Sequence, residues 1–329
     1  MTGSETIGPL GKVGYPWGAV GMALDYRIRL NFPASARLPD RWATWAQDPE
    51  AGFAVSRDPA LHEPLVAERG AARAIDIYEA YTWRRAAGAF FSALAGLLTK
   101  ARPHELAIAP EQEEALCRFC FVLGLYEQFQ RTLSAWATSP LIDLGVGGGV
   151  EDLLALCPDL AVRDIASLNG AFVSSQAHLL RGEVVLNPRF DGVAPIGGDG
   201  DLIVDRCYID IKATTEPTKP SPSQWPWELL GYVLLDHEDR FHINSVGLYL
   251  ARQAVLVRWD LDEFVSLLVG PRRGIDLELA RGELRGELAR LSKAAQVAKQ
   301  VAKQMQARRA LRLRELHQRC HRLAYDSDS

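Results

Sequence analysis

Residues 198–212, Gly-Asp-Gly-Asp-Leu-Ile-Val-Asp-Arg-Cys-Tyr-Ile-Asp-Ile-Lys, constrain this chain more than any other stretch. Leu202-Ile203-Val204 and Cys207-Tyr208-Ile209 are short apolar, β-prone runs, and only Asp205-Arg206 separates them. Two such runs on either side of a two-residue break predict a β-hairpin. With Asp205-Arg206 as its loop, Val204 faces Cys207, Asp201 faces Asp210 and Asp199 faces Lys212. Directly opposed residues share a face of the sheet, with Cβ atoms about 4.5–5.5 Å apart. The two-residue period of a strand puts Asp210 and Lys212 on that same face. Two carboxylates so placed repel each other. A divalent cation between them reverses the sign of that interaction, and an oxygen-only donor set suits Mg2+ or Mn2+.

This block resembles the metal site of the PD-(D/E)XK nuclease superfamily. Within it, the block is most similar to the RecB-type branch, where the pattern often reads Asp-Leu-Ile-Val followed by Ile-Asp-Ile-Lys. The likeness covers residues 197–215 and weakens toward about residue 260. It implies that Asp201 and Asp210 ligate the metal and that the carbonyl of Ile211 completes the site. Lys212 would orient or activate the attacking water and stabilise charge on the phosphate. RecB-type members also carry a Gln and often a Tyr on the next helix, usually four residues apart. Gln224 and Tyr232 stand in those roles here at a spacing of eight. The branch draws a Glu from a helix upstream of the sheet; Glu127 is the choice, with Glu68 and Glu114 as competitors. The resemblance implies a Mg2+- or Mn2+-dependent nuclease acting on DNA, in repair or in defence against foreign DNA. The alternative is a catalytically silent relative that binds nucleic acid or serves as a scaffold.

Composition narrows the setting. With 48% hydrophobic and 24% charged residues over 329 positions, the chain has the balance of a globular protein. No apolar run reaches membrane-span length, and the N-terminus lacks the pattern of a signal peptide. Five scattered cysteines imply no disulfide scaffold, so the cytosol is the expected compartment. The net charge of −4 hides an asymmetry: residues 271–329 hold 14 Lys and Arg against 7 Asp and Glu, whereas the remainder holds 23 against 34. An acidic body does not attract nucleic acid over its whole surface, but a basic tail can.

The order of elements predicts an α/β fold of α+β-like character, with a central mixed sheet of about five strands flanked by helices. A helix running from Gly18 to Arg29 ends in a turn at Pro33, and RecB-type nucleases often begin with such a Gly-rich, Asp-containing helix. Residues 63–100 and 110–138 read as long amphipathic helices, and 150–157 and 162–180 as shorter ones, with Asp164 capping the latter or in its first turn. Strands are expected at 183–186, 201–204 and 207–213. A helix at Gln224 follows, then a hairpin of 245–250 and 254–259 around Ala251-Arg252-Gln253. From Asp276 to Leu323 the pattern is one helix of about 70 Å. Its heptad seam runs through Leu284, Leu288 and Leu291 and fails at Arg309 and Arg312. The expected domains are a helical region 1–140, a catalytic core 141–270 and a basic helix 271–329.

Four other features compete for attention. Leu141-Ile142-Asp143-Leu144 leading into Gly145-Val146-Gly147-Gly148-Gly149 resembles the first motif of S-adenosylmethionine-dependent methyltransferases. Helical residues precede it, however, and no strand ending in an acidic ribose ligand follows at about 20 residues; a loop before a helix is the better reading. Cys117 and Cys120 are read as helix-packing residues, and His237 and His242 as parts of a polar turn. Trp225 and Trp227 are read as a packing wall for the helix that follows Gln224, with base stacking as the alternative. In the basic tail, Arg308, Arg309, Arg312 and Arg314 are candidate phosphate contacts. The same helix is a candidate surface for a second copy of the chain or another protein.

Overall fold

A computed structural model describes residues 17–36, 83–106, 108–131, 139–144, 148–190, 198–215, 224–270 and 275–294. The elements in chain order are helices α1 (Trp17–Arg29), α2 (Trp83–Ala101), α3 (Pro110–Arg131), α4 (Val150–Ala155) and α5 (Asp159–Ser175). Strands β1 (Val184–Leu186), β2 (Arg189–Phe190), β3 (Gly198–Asp199), β4 (Leu202–Val204) and β5 (Cys207–Lys212) follow. Then come α6 (Trp225–Leu235), β6 (Ser245–Leu250), β7 (Val255–Asp260), α7 (Leu261–Val269) and a helix α8 over residues 277–294.

The chain forms two compact units. The first holds the described residues within 1–188, 200–229 and 243–264; the second holds those within 189–199, 230–242 and 265–329. Both the 1–140 and the 141–270 segments contribute to the first unit.

The five-stranded sheet of the first unit has the order β1-β4-β5-β6-β7 and is mixed, as expected: β5 and β6 are parallel and the other pairs antiparallel. The central hairpin has the expected register, with Val204 opposite Cys207 and Leu202 opposite Ile209. Its loop explains why: Asp205 and Arg206 both take positive φ, 48° and 64°, the twist that a two-residue hairpin demands. The Asp205 carboxylate also accepts the N–H of Glu183 at 2.9 Å, tying the turn to the start of β1.

Period two sorts β5. Cys207 and Ile209 join Leu202, Val204 and Tyr249 in a core completed by Leu24, Ile28 and Phe32 after and along α1 and by Leu168 and Phe172 of α5. Phe172 meets Tyr249 edge-on at 5.1 Å. A second core is helical, built on Phe90 and Phe91 of α2 and Phe119, Cys120 and Tyr126 of α3. Pro110 opens α3 where its missing N–H costs nothing, with Glu111 and Glu113 in the first turn. Helix α1 lies tightly on α3: a Cβ on Gly124 would stand 2.9 Å from the Ala19 carbonyl.

Several expectations change. Helix α5 starts at Asp159, directly after Pro158, so Asp164 is neither cap nor first turn. Asp164 is buried and takes both arms of the Arg252 guanidinium at 3.0 and 2.7 Å. The sequence could not reveal this pair, because its members are 88 residues apart. The hairpin at Ala251–Gln253 forms as expected, whereas α7 and the two-stranded β2–β3 sheet were not foreseen.

In the second unit, Phe190 of β2 packs on Tyr232 and Phe241 at 5.3 Å each. Arg281 of α8 donates to the Val233 carbonyl and to Asp239. The inward row of α8 is Arg281, Leu288 and Ser292, while Leu291, placed on the heptad seam by sequence, is 49% exposed. The remainder of the expected long helix, with Arg308, Arg309, Arg312 and Arg314, lies outside the described residues, as does Glu68. Among the described residues no helix is long and apolar enough to cross a membrane.

Candidate active site

Strand β5 outlasts β4. The β4–β5 ladder closes at Leu202–Ile209, while β5 runs on through Asp210, Ile211 and Lys212 with β6 on its other side. Antiparallel alternation turns the main-chain groups of Ile209 and Ile211 toward β4. Opposite Ile211 the strand is gone, and the Asp201 carboxylate replaces it: Oδ2 accepts the Ile211 N–H at 2.7 Å. The Asp201 carbonyl in turn accepts the Asn187 N–H at 3.0 Å. The head of the hairpin is thus an opening in the sheet, bordered by Asp201, Asp210 and the main chain of Ile211.

Early closure of the ladder leaves Asp201 and Asp210 beyond its last pair instead of paired across it, and it also corrects the expected position of Asp199. It pairs with Arg189 in the two-stranded sheet rather than facing Lys212, and its carboxylate lies 3.6 Å from the Arg189 guanidinium. The Tyr232 hydroxyl donates to the Asp199 carbonyl at 3.3 Å, so this tyrosine serves the small sheet of the second unit.

Asp210 is 6% exposed. The Lys212 ammonium stands 2.9 Å from its Oδ2, an ion pair. On its other side the same ammonium donates to Glu228 of α6 at 3.0 Å. Burial, then the neighbouring Asp201 charge, push the Asp210 carboxyl up to about 8. Burial also raises Asp201, opposed by the Arg29 guanidinium, the Ile211 N–H and Lys212, and reinforced by Glu127. For Lys212, burial favours the neutral amine, but the Asp210 and Glu228 carboxylates outweigh it and hold the group as an ammonium.

Helices α1 and α3 bring charge to the same place. Arg29 is buried beside Asp25 one helical turn earlier, its Nε donating to Oδ1 at 2.9 Å. Glu127, buried on α3, acts on Asp201 through its charge. Its competitor Glu114 faces solvent and pairs with Arg118. Asp201, Asp210, Lys212 and Glu127 therefore share one electrostatic neighbourhood. Gln224 is exposed in the turn before α6 and connects to the group through its main chain, its carbonyl accepting the Glu228 N–H at 2.9 Å.

Sequence reasoning passed over Glu228 and Arg29. Glu228 stands four residues after Gln224, where the resembling nucleases usually have Tyr, and that spacing was its available signal. Arg29 was signalled by its i,i+4 partner Asp25 in a helix that is otherwise mostly apolar.

Among the described residues no three His, Cys, Asp or Glu side chains are grouped to hold a metal by themselves. The donors that fit one are fewer: the Asp210 carboxylate, which Lys212 shares, the Asp201 carboxylate and the Ile211 carbonyl. Mg2+ keeps several waters and is commonly held by one or two carboxylates, so this oxygen-only set suits it.

The rival features have structural roles. Residues Pro140–Asp143 form a 3-10 turn rather than a strand, which removes the framework a methyltransferase motif needs. Cys117 and Cys120 are buried, and burial pushes both thiols up, Cys120 to about 12, leaving them inert near neutral pH. Compared with known proteins, the chain matches no family model, no curated protein and no solved structure.

Proposed function

We propose that this protein is a metal-dependent phosphodiesterase of the PD-(D/E)XK type that cleaves DNA in the cytosol, in repair or in defence against foreign DNA. One observation carries the reading: a buried and a half-buried carboxylate that repel each other meet a half-buried lysine where the sheet opens at the open end of the β4–β5 hairpin. A folded protein that holds like charges together without a counter-ion forgoes stability, and a divalent cation is the natural counter-ion for such a pair.

Asp201, Asp210 and the Ile211 carbonyl would hold Mg2+ or Mn2+. When bound, the ion lowers the pKa of its water and neutralises charge developing on the phosphate. The chain's own residues do the rest. The Ile211 N–H fixes the Asp201 carboxylate by occupying one oxygen and leaving the other for a cation. Lys212, held as an ammonium, supplies positive charge to the non-bridging phosphate oxygens and orients the attacking water; with its proton retained it is a poor general base. Glu228 keeps that ammonium from collapsing wholly onto Asp210. Glu127 adds negative charge at the Asp201 side, which strengthens cation attraction.

The test is a cleavage panel of linear, circular and single-stranded DNA with Mg2+, Mn2+ or EDTA. The wild type cuts with either metal and not in EDTA, and Lys212→Ala slows cutting about 100-fold or more. Full activity in Lys212→Ala would overturn the assignment. The absence of a three-residue ligand group among the described residues is the observation that favours a silent, nucleic-acid-binding relative. That reading expects binding that survives Lys212→Ala, and no turnover with any metal.

A further inference from the structure

The first turn of α6 presents an exposed aromatic, Trp227, one residue before the lysine's partner Glu228. Gln224, Trp227 and Glu228 stand at i, i+3 and i+4, the spacing that places side chains together on one helical face, and all three are exposed. Trp225 and Leu229, on the opposite side, are half-buried and buried, and anchor the helix. Trp227 itself is 55% exposed, so it is not the packing wall that the sequence suggested. Its neighbour Glu228 touches the Lys212 ammonium at 3.0 Å, so the patch borders the place where the phosphate would sit.

We infer that Trp227 is a stacking platform for one unpaired nucleobase of the substrate, next to the phosphodiester under attack. The inference rests on the phosphodiesterase reading above. An indole face offers a base stacking area, and the Gln224 amide beside it can donate to and accept from base edges. The two carboxylates at 210 and 228 disfavour a further acidic side group there, whereas a neutral base is accepted. In a duplex the bases are already stacked on one another, so the platform favours single strands, frayed ends and flaps over intact duplex.

The test compares a labelled single-stranded oligothymidylate with an abasic strand of the same length, in Ca2+ to suppress cutting, by fluorescence anisotropy on the full chain. Trp227→Ala weakens oligothymidylate binding about tenfold, and Trp227→Phe restores most of it. Abasic binding is unchanged in both variants. With Mg2+, Trp227→Ala raises KM on single strands more than it lowers kcat. Equal loss on both strands, or no loss on either, overturns the platform while leaving wild-type cleavage, and so the site, intact. A change in oligomeric state in Trp227→Ala, with nucleic-acid binding unaltered, also overturns it by making the indole a self-association contact. A wild type that neither binds nor cuts either strand removes the phosphodiesterase reading and the platform together.

Discussion

Burial and the Asp201 charge hold the Asp210 proton more tightly in the folded chain than in the unfolded one, raising its carboxyl from 3.8 to about 8. The sign of the linkage follows. A group with a raised folded-state pKa adds stability that is fully present below the unfolded value and is lost as pH rises through the folded one. Without metal, the protein therefore loses the Asp210 contribution between about pH 4 and pH 8. Asp210→Asn, which keeps the shape and removes the charge, is expected to melt above the wild type at pH 8 in EDTA and to show a smaller fall in Tm between pH 5 and pH 8. Thermal melts at the two pH values check this, and a variant less stable than wild type at pH 8 would contradict it. A different buried pair behaves in the opposite way. Asp164 and Arg252 are satisfied by each other, and Arg252 also donates to the Ala213 carbonyl just beyond Lys212. Asp164→Ala leaves that guanidinium buried and partly unpaired, at a cost of about 3–5 kcal/mol in urea unfolding.

Individual elements set the geometry on which the site depends. Helix α1 brings Arg29 to Asp201 because α3 offers a glycine at 124 where the two backbones meet. Gly124→Ala puts a methyl against the Ala19 carbonyl and the Ala23 nitrogen, at 2.9 and 3.2 Å, and main chain cannot yield as a flexible side chain does. The expected outcome is a loss of about 1–3 kcal/mol in urea unfolding, with weaker metal-dependent activity as α1 shifts; an unchanged midpoint would contradict it. The hairpin loop works the other way. Arg206 sits at φ 64°, a conformation glycine adopts without strain. Its side chain is exposed, and its carbonyl still accepts the Asn244 N–H when the side chain is removed. Arg206→Gly relieves that backbone strain and is expected to keep the register with Tm at or above the wild type; a lower Tm would show that the arginine's own contacts outweigh the strain.

At the scale of the whole molecule, local chemistry was legible and distant pairing was not. The register of β4 and β5 followed from two residues of turn and the apolar runs around them, and the helices expected over 63–100, 110–138 and 150–157 are found, among the described residues, at 83–101, 110–131 and 150–155. The displacement of Asp199 could not be read this way, because it depends on a side chain, Asp201, replacing a main-chain partner. Arg252 with Asp164 is a meeting of residues 88 apart in sequence, and only the folded chain reveals it; Lys212 with Glu228 joins a strand to the next helix, and spacing signals the glutamate but not its partner. The two-stranded β2–β3 sheet was missed because strands of two residues carry no periodicity. The candidate site is accordingly half a sequence motif and half a product of topology, and its central claim is that Asp201 and Asp210 together hold one divalent cation. Mn2+ binding to the full chain, followed by electron paramagnetic resonance near pH 7, tests that claim without requiring a known substrate. The account predicts one bound Mn2+ per chain in the wild type and its loss in Asp210→Asn, with the variant still folded; equal Mn2+ binding by the two proteins would contradict it.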